Sequence, residues 1–233
     1  MQASYERRFI HGLAVNANYT FAHNLGDIGG LTSTGGGGWG QQPDRLRQVD
    51  YGNNGLDVRQ RLAVTGIYAL PFAQSATGWK AEAFKGWQYN LIVAYSTGLP
   101  YDILNSSSVS NAISGSGDRP NMTGNPNRSG FSINEYFNTS AFSAQTPGTY
   151  GNEPVNPLHG PPFRHADMSI DKTFKLAEMW NLQFRAEAFN ISNTMNFGPP
   201  NATLGSGLFG SLLGSTNPGY QPRVFQFALR LSF

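Results

Sequence analysis

Six stretches of the chain alternate apolar and polar residues with a period of two. The first sets Leu13, Val15, Ala17, Tyr19 and Phe21 against Gly12, Asn16, Asn18 and Thr20. The second places Leu62, Val64, Tyr68 and Leu70 on one parity and ends at Pro71-Phe72. The third carries Trp87, Tyr89, Leu91, Val93, Tyr95 and Leu99 on one parity and Gln88, Asn90, Ala94, Ser96 and Gly98 on the other, with Ile92 as the exception. A fourth, weaker stretch sets Ala166, Met168 and Ile170 against His165, Asp167, Ser169 and Asp171, and the fifth sets Leu182, Phe184, Ala186 and Ala188 against Gln183, Arg185 and Glu187. The sixth is the C-terminal one: Phe225, Phe227, Leu229, Leu231 and Phe233 oppose Gln226, Ala228, Arg230 and Ser232. Successive side chains of a strand point to opposite faces, so each stretch predicts a strand with one apolar and one polar face.

The connections between these strands alternate in length. Long segments, roughly 24–57, 104–162 and 198–222, interleave with shorter ones at about 73–85 and 176–179. Long loops on one side and tight turns on the other are the rhythm of an outer-membrane barrel, with the loops outside the cell. If the last strand ends in the periplasm, every long connection falls on the extracellular side. A final strand of about ten residues that stops flush at an aromatic fits a barrel in lipid, because interface girdles favour aromatics. Trp87, Tyr89, Tyr101, Trp180, Phe197 and Phe233 all sit near strand ends. Polar faces bearing charge along most of their length suit a wet lumen better than a sandwich core. A secreted glycan-binding sandwich is disfavoured on the same grounds.

Composition narrows the picture. Only 13% of residues are charged, the net charge is +2, and there is no Lys/Arg run of the kind that reads nucleic acid. Arg45 and Arg47 belong to a loop, and Arg59 and Arg61 flank a strand. The 28 glycines and 14 prolines fit an all-β chain rich in turns. The chain has no cysteine, which rules out a disulfide framework and thiol chemistry. No apolar run approaches the ~18–20 residues of a membrane helix, and this has no bearing on strands that cross. The first ten residues lack a basic region followed by an apolar stretch, so no signal peptide is visible, and the chain reads as a piece of a larger exported protein.

Candidate chemistry is sparse. His165, Asp167 and Asp171 share a strand face, but residues two apart in a strand are ~6–7 Å apart and do not converge on a metal by themselves. They read as polar lumen wall, together with Arg185 and Glu187, which are expected to pair with Asp167 or Asp171. His11, His23 and His159 carry no assignment. Gly35–Gly38 lacks the lysine of a phosphate loop and reads as flexible loop. No nucleophile elbow, P-loop or zinc-binding HExxH occurs, so neither an enzymatic role nor a cofactor or metal is expected. Asn105-Ser-Ser, Asn121-Met-Thr and Asn201-Ala-Thr match the glycosylation pattern, which matters only in a eukaryotic secretory setting. The aromatic, Asn-rich stretches at Tyr136-Phe-Asn138, Phe142 and Tyr150 read as solvated loops able to touch a ligand.

Several motifs, in order, resemble the C-terminal barrel of Oar-like TonB-dependent receptors from about residue 9 onward. They are Asn54-Gly-Leu-Asp-Val-Arg-Gln-Arg-Leu-Ala-Val-Thr-Gly-Ile-Tyr68, Gly86-Trp-Gln-Tyr-Asn-Leu91, Ser96-Thr-Gly-Leu-Pro-Tyr101, Arg119-Pro-Asn121, Asp167-Met-Ser-Ile-Asp-Lys172, Phe184-Arg-Ala-Glu-Ala-Phe-Asn-Ile-Ser-Asn193, Asn196-Phe197 and the Arg230-Leu-Ser-Phe233 end. The resemblance implies a 22-stranded barrel with a plug and a periplasmic coupling box, none of whose N-terminal parts is in this sequence.

The expectation is therefore an all-β, antiparallel, up-and-down transmembrane β-barrel segment. Residues 1–233 would supply about six C-terminal strands of a larger barrel in the bacterial outer membrane. Its role would be part of the wall for energy-coupled uptake. The alternative is a surface adhesin or structural outer-membrane protein whose loops bind a partner without transport. Expected partners are outer-membrane lipid, the remaining strands and plug of the parent receptor, and the assembly machinery. TonB would be met only through the absent N-terminal part, and no nucleic acid is involved. Phe225, Phe227, Leu229, Leu231 and Phe233 form the expected assembly signal.

Overall fold

A computed structural model of the chain describes residues 1–26, 51–111, 118–176, 179–214 and 221–233. The Gly35–Gly38 run and Arg45 and Arg47 lie outside the described residues.

Seven long strands form one antiparallel sheet in strict sequence order. They are β1 (Gln2–Ile10), β2 (Leu13–Phe21), β3 (Gln60–Ala69), β4 (Trp87–Ser96), β5 (Phe163–Lys175), β6 (Asn181–Phe189) and β7 (Val224–Ser232). The sheet is all up-and-down and it is open: β1 and β7 are its two edges.

Among the described residues the sheet has seven strands rather than the expected six. The additional strand is β1, whose Glu6, Arg7 and Arg8 interrupt any alternation. It forms because pairing with β2 satisfies its backbone, with Tyr5 opposite Ala17 and Arg7 opposite Val15. Its Arg8–Glu6 ion pair, 3.2 Å long, is exposed to solvent. The β1–β2 turn is His11-Gly12, both at positive φ (51° and 79°), the conformation of a two-residue hairpin whose twist matches its strands.

Register carries the alternation unbroken across the sheet. Val15 lies opposite Gly66, Gly66 opposite Leu91, Leu91 opposite Met168 and Met168 opposite Ala188; Ala188 then lies opposite Phe225. One face is therefore apolar from β2 to β7. The other face carries Asn16, Thr65, Asn90, Ser169 and Glu187 and ends at Gln226. A one-residue slip in any pair would exchange the faces, so the agreement of successive registers fixes the facing.

The protein's buried core is not on this sheet. Among the described residues, every buried apolar side chain except Ala188 lies in the long connections. Tyr101, Ile103, Phe137, Ala141, Phe142 and Leu158 form one cluster, with Met122, Tyr136, Ala202, Leu204 and Phe209 packed around it. Phe137 meets Phe209 and Phe142 edge-on at 5.2 and 5.7 Å, the favoured geometry for aromatic pairs. Four two-residue ladders tie the connections together. Leu25–Gly26 pairs with Gly52–Asn53, Pro100–Tyr101 with Leu158–His159, Asn121–Met122 with Phe142–Ser143, and Leu104–Asn105 in parallel with Thr203–Leu204. These connections all leave the same end of the sheet and form a compact cap. The reading of Tyr136-Phe-Asn138 and Phe142 as solvated loop is corrected: Phe137 and Phe142 are cap core, ordered by the apolar area they bury together.

Candidate functional site

Most apolar positions of β2 to β6 are half-buried, and the apolar face opens fully on β7. Phe225, Phe227, Leu229 and Leu231 project from β7 with about half or more of their surface open, and Phe233 beyond it is 90% exposed. Trp180 packs on Phe233 at 5.2 Å, at the end of the sheet opposite the cap. Exposed apolar surface on this scale marks a contact with another apolar phase or partner.

On the polar face, His165 Nε2 lies 2.8 Å from Asp167 Oδ1. Asp167 also accepts the Asn190 N–H at 2.8 Å, which holds the exit of β6 against β5. Asp171 accepts from Asn90 Nδ2 at 2.7 Å, and the same amide donates to Ser169 Oγ at 3.0 Å. Arg185 pairs with Glu187 at 3.6 Å along its own strand. The expected cross-strand pairs of Arg185 and Glu187 with Asp167 or Asp171 are thus corrected. Asp171 is taken by the β4 amide and Asp167 by the Asn190 backbone, which leaves Arg185 to its neighbour two residues on. Register places His165, Asp167, Asp171, Arg185 and Glu187 on this one face. Among the described residues, no group of three or more His, Asp or Glu side chains is placed to hold a metal ion.

Residues 1–226 match the family model described as an outer membrane beta barrel domain. The chain belongs to that family. It is an all-β protein of the bacterial outer membrane, and in such barrels the apolar parity of each strand is the one that meets lipid. No curated protein and no solved structure matches the chain. Short connections at one end of the barrel and the cap at the other put the cap on the extracellular side.

The cap is pinned to the barrel by polar side chains that carry buried backbone groups. Asp57, almost fully buried, accepts the Asn24 N–H at 2.8 Å and binds Arg59 through both Nε (3.2 Å) and Nη2 (3.1 Å). Asn53 and Asn156 exchange side-chain-to-carbonyl bonds of 3.0 and 2.6 Å across 103 residues of sequence. His23 bonds Asn53 Oδ1 at 3.1 Å. His159 sits beside Arg59, Asp57 and His23; burial first, and then the Arg59 charge, push its pKa below the usual imidazole range.

Several of the motifs quoted from the sequence supply further pins. Gln60 N–H donates to Thr97 Oγ1 at 3.1 Å. Gly98 faces the Gly160 carbonyl so closely that a Cβ would collide with it and with Pro161. Asn121 and Asn152 exchange bonds: Asn152 N–H donates to Asn121 Oδ1 at 3.2 Å, and Met122 N–H to Asn152 Oδ1 at 2.7 Å. Asn196 caps Arg164 in both directions at 2.8 Å, with its carbonyl oxygen accepting and its amide donating, as another strand would. Asn190, at φ 49°, donates to the carbonyls of Gln221 (2.8 Å) and Thr194 (3.1 Å). Asx side chains readily substitute for backbone in this way.

Inside the cap lies a buried acidic group that the sequence pattern does not reveal. Glu153 Oε1 accepts the Ile103 N–H at 3.0 Å, while Oε2 is buried without a hydrogen-bond partner among the described residues. Burial first, and then the neighbouring Asp102, raise its pKa well above the carboxylate range against the pull of the Ile103 N–H and Arg119. Asp102 accepts from the Asn156 N–H. Asp118 Oδ2 accepts from Val109 N–H and Gln145 Nε2, both at 2.9 Å. The only signal for these residues is one of placement: acids isolated in long polar loops, whose burial depends on contacts many residues away.

Proposed function

We propose that this chain forms part of the wall and the outer mouth of an energy-coupled outer-membrane receptor of the Oar-like TonB-dependent kind that its motifs resemble. The observation that carries the reading is the coincidence of motif and pin. Gln60, Thr97, Asn190 and Asn196, all within the stretches that suggest the family, fasten a folded extracellular cap to the strands. A receptor needs a shaped outer mouth held at fixed height above its wall, and loops on a rigid scaffold commonly carry binding.

The open sheet supports a multi-part barrel. Its edges, β1 and β7, need backbone partners in lipid, since each unpaired group there costs several kcal/mol. Further strands of the parent receptor would supply them. In this reading His165, Asp167, Asp171, Arg185 and Glu187 line the lumen and meet a plug. The cap captures the ligand, the plug rearranges with energy from the inner membrane, and the wall stays passive. The chain performs no covalent chemistry and needs no cofactor. Phe225, Phe227, Leu229, Leu231 and Phe233 present the final strand to the assembly machinery.

The test is site-specific cross-linking in cells between the N-terminal part of the parent protein and the inner-membrane energy-coupling protein. Adduct formation that depends on the coupling box supports transport. A parent without a plug or coupling box, whose loss abolishes only surface adhesion, supports the adhesin reading instead.

A further inference from the structure

Residues Trp79–Phe84 form a short helix, α1, in the connection between β3 and β4, at the end of the sheet opposite the cap. Two side chains from the apolar face hold its last turn. Trp87 Nε1 donates to the Ala83 carbonyl at 3.1 Å, and Lys172 Nζ donates to the Glu82 carbonyl. Carbonyls of a last turn lack intrahelical partners and carry the negative end of the helix dipole, so a cation is well placed there.

Lys172 is unusual. It lies opposite Trp87 and Phe184 in register, on the apolar parity, and is only 3% exposed. Its ammonium is 4.6 Å from the Phe174 ring centroid and 5.7 Å from that of Trp87. A lysine on a lipid-facing strand position is costly unless its charge is held. Here the charge fastens α1 over the apolar face of the sheet. The helix in turn leaves Trp79 and Phe84 largely open, at 72% and 52% exposure, with Lys80 Nζ 5.9 Å from the Trp79 ring.

We propose that α1 is a membrane foot that binds the phospholipid interface of the periplasmic leaflet. Trp79 and Phe84 enter the boundary between headgroups and acyl chains, and Lys80 and Lys85 reach lipid phosphates. The surface continues the lipid-facing apolar belt through Trp87 and Lys172, so the same phase covers both. Tryptophan and lysine are the residues that settle at this depth. A short helix with aromatic and cationic side chains is an interfacial element rather than a spanning one. Its effect is to fix the height of this part of the wall in the bilayer. The proposal depends on the outer-membrane location and is independent of the transport reading, so either can fail alone.

The test uses the complete protein reconstituted in vesicles of phosphatidylethanolamine and phosphatidylglycerol, with assembly verified by heat-modifiable migration. Subtracting the emission of Trp79→Phe from that of the wild type isolates Trp79. The expected result is strong quenching by lipids brominated near the headgroup and weak quenching by aqueous acrylamide. Lys172→Met keeps the stem and removes the charge; it should abolish the lipid quenching, and Lys172→Arg should preserve it. Quenching of wild-type Trp79 by acrylamide and not by brominated lipid overturns the proposal. Lipid quenching unchanged in an assembled Lys172→Met variant overturns the role given to Lys172. If Lys172→Met does not assemble, the wild-type subtraction decides the membrane contact alone.

Discussion

The sheet and the cap of this protein bury opposite things. The sheet hides its polar backbone in ladders and leaves its apolar side chains for lipid; the cap hides apolar side chains in an ordinary core and pins its irregular backbone with Asp and Asn. The difference is one of solvent. In hydrocarbon the exposed side chain is cheap and the unpaired N–H is expensive. In water the apolar side chain drives folding and loop backbone can be solvated, so only the loop segments that lie buried need side-chain partners.

The comparison breaks most easily at the seam between the two. Gly98→Val puts branched carbon where the Gly160 carbonyl and Pro161 lie. A backbone clash of this kind belongs to the exceptional class above ~4 kcal/mol. The expected outcome is a cap cleaved by added protease while the barrel keeps its heat-modifiable migration; loss of both together would mean that cap and sheet fold as one unit.

Phe137→Ala tests whether the cap has a true core. Truncation of a buried Phe that contacts Phe142 and Phe209 should cost ~3–5 kcal/mol. Hydrogen exchange should accelerate through 97–162 and leave β2 to β6 unchanged.

The sheet answers to a different rule. Leu91→Arg, on the lipid-facing parity, should cost ~2–4 kcal/mol, and Asn90→Arg next to it far less. The amount of each variant assembled in the outer membrane checks this, and equal losses would refute the facing.

A pH series sharpens the contrast between the two regions. Glu153 has a raised pKa in the fold, so it stabilises the cap while protonated. That contribution is complete below the ordinary carboxylate range and is lost as pH rises through the raised value. His159 acts with the opposite sign: its depressed pKa means stability is lost as pH falls below the ordinary imidazole range. Glu153→Gln mimics the protonated acid and should flatten the high-pH loss, at roughly 1.4 kcal/mol per pH unit removed. Cap melting followed by exchange at several pH values measures it.

The smallest stability effect is expected at Phe233. Phe233→Leu should lose ~0.5–1.5 kcal/mol of ring contact with Trp180. A short polar tail added after Phe233 leaves that contact intact, so a drop in assembled protein from the tail alone would report recognition of the strand end rather than burial.

Much of the sheet is legible in the sequence. Leu62, Val64 and Tyr68, or Phe225 to Phe233, alternate because one face meets lipid and the other does not, and the period of two survives along the chain. The strand β1 is not legible. Its Glu6, Arg7 and Arg8 break the alternation, and pairing with β2 rather than local pattern makes it a strand. Phe137 and Phe142 resemble loop aromatics because nothing local distinguishes a solvated Phe from one that meets a partner dozens of residues away. Asn190 and Asn196 stand out as parts of motifs, but their work becomes visible only with the Gln221 and Arg164 backbone beside them.

By itself the sequence determined the strand period, which residues share a face and the outer-membrane class, since each follows from short-range alternation and from the lengths of the connections. The tertiary structure alone decided which loop residues form the cap core, where Asp57 and Glu153 become buried, and how Lys172 comes to hold α1. Those outcomes depend on contacts across as many as 103 residues, as between Asn53 and Asn156. No local pattern encodes such a contact, because its free energy arises only when the whole chain has closed around it.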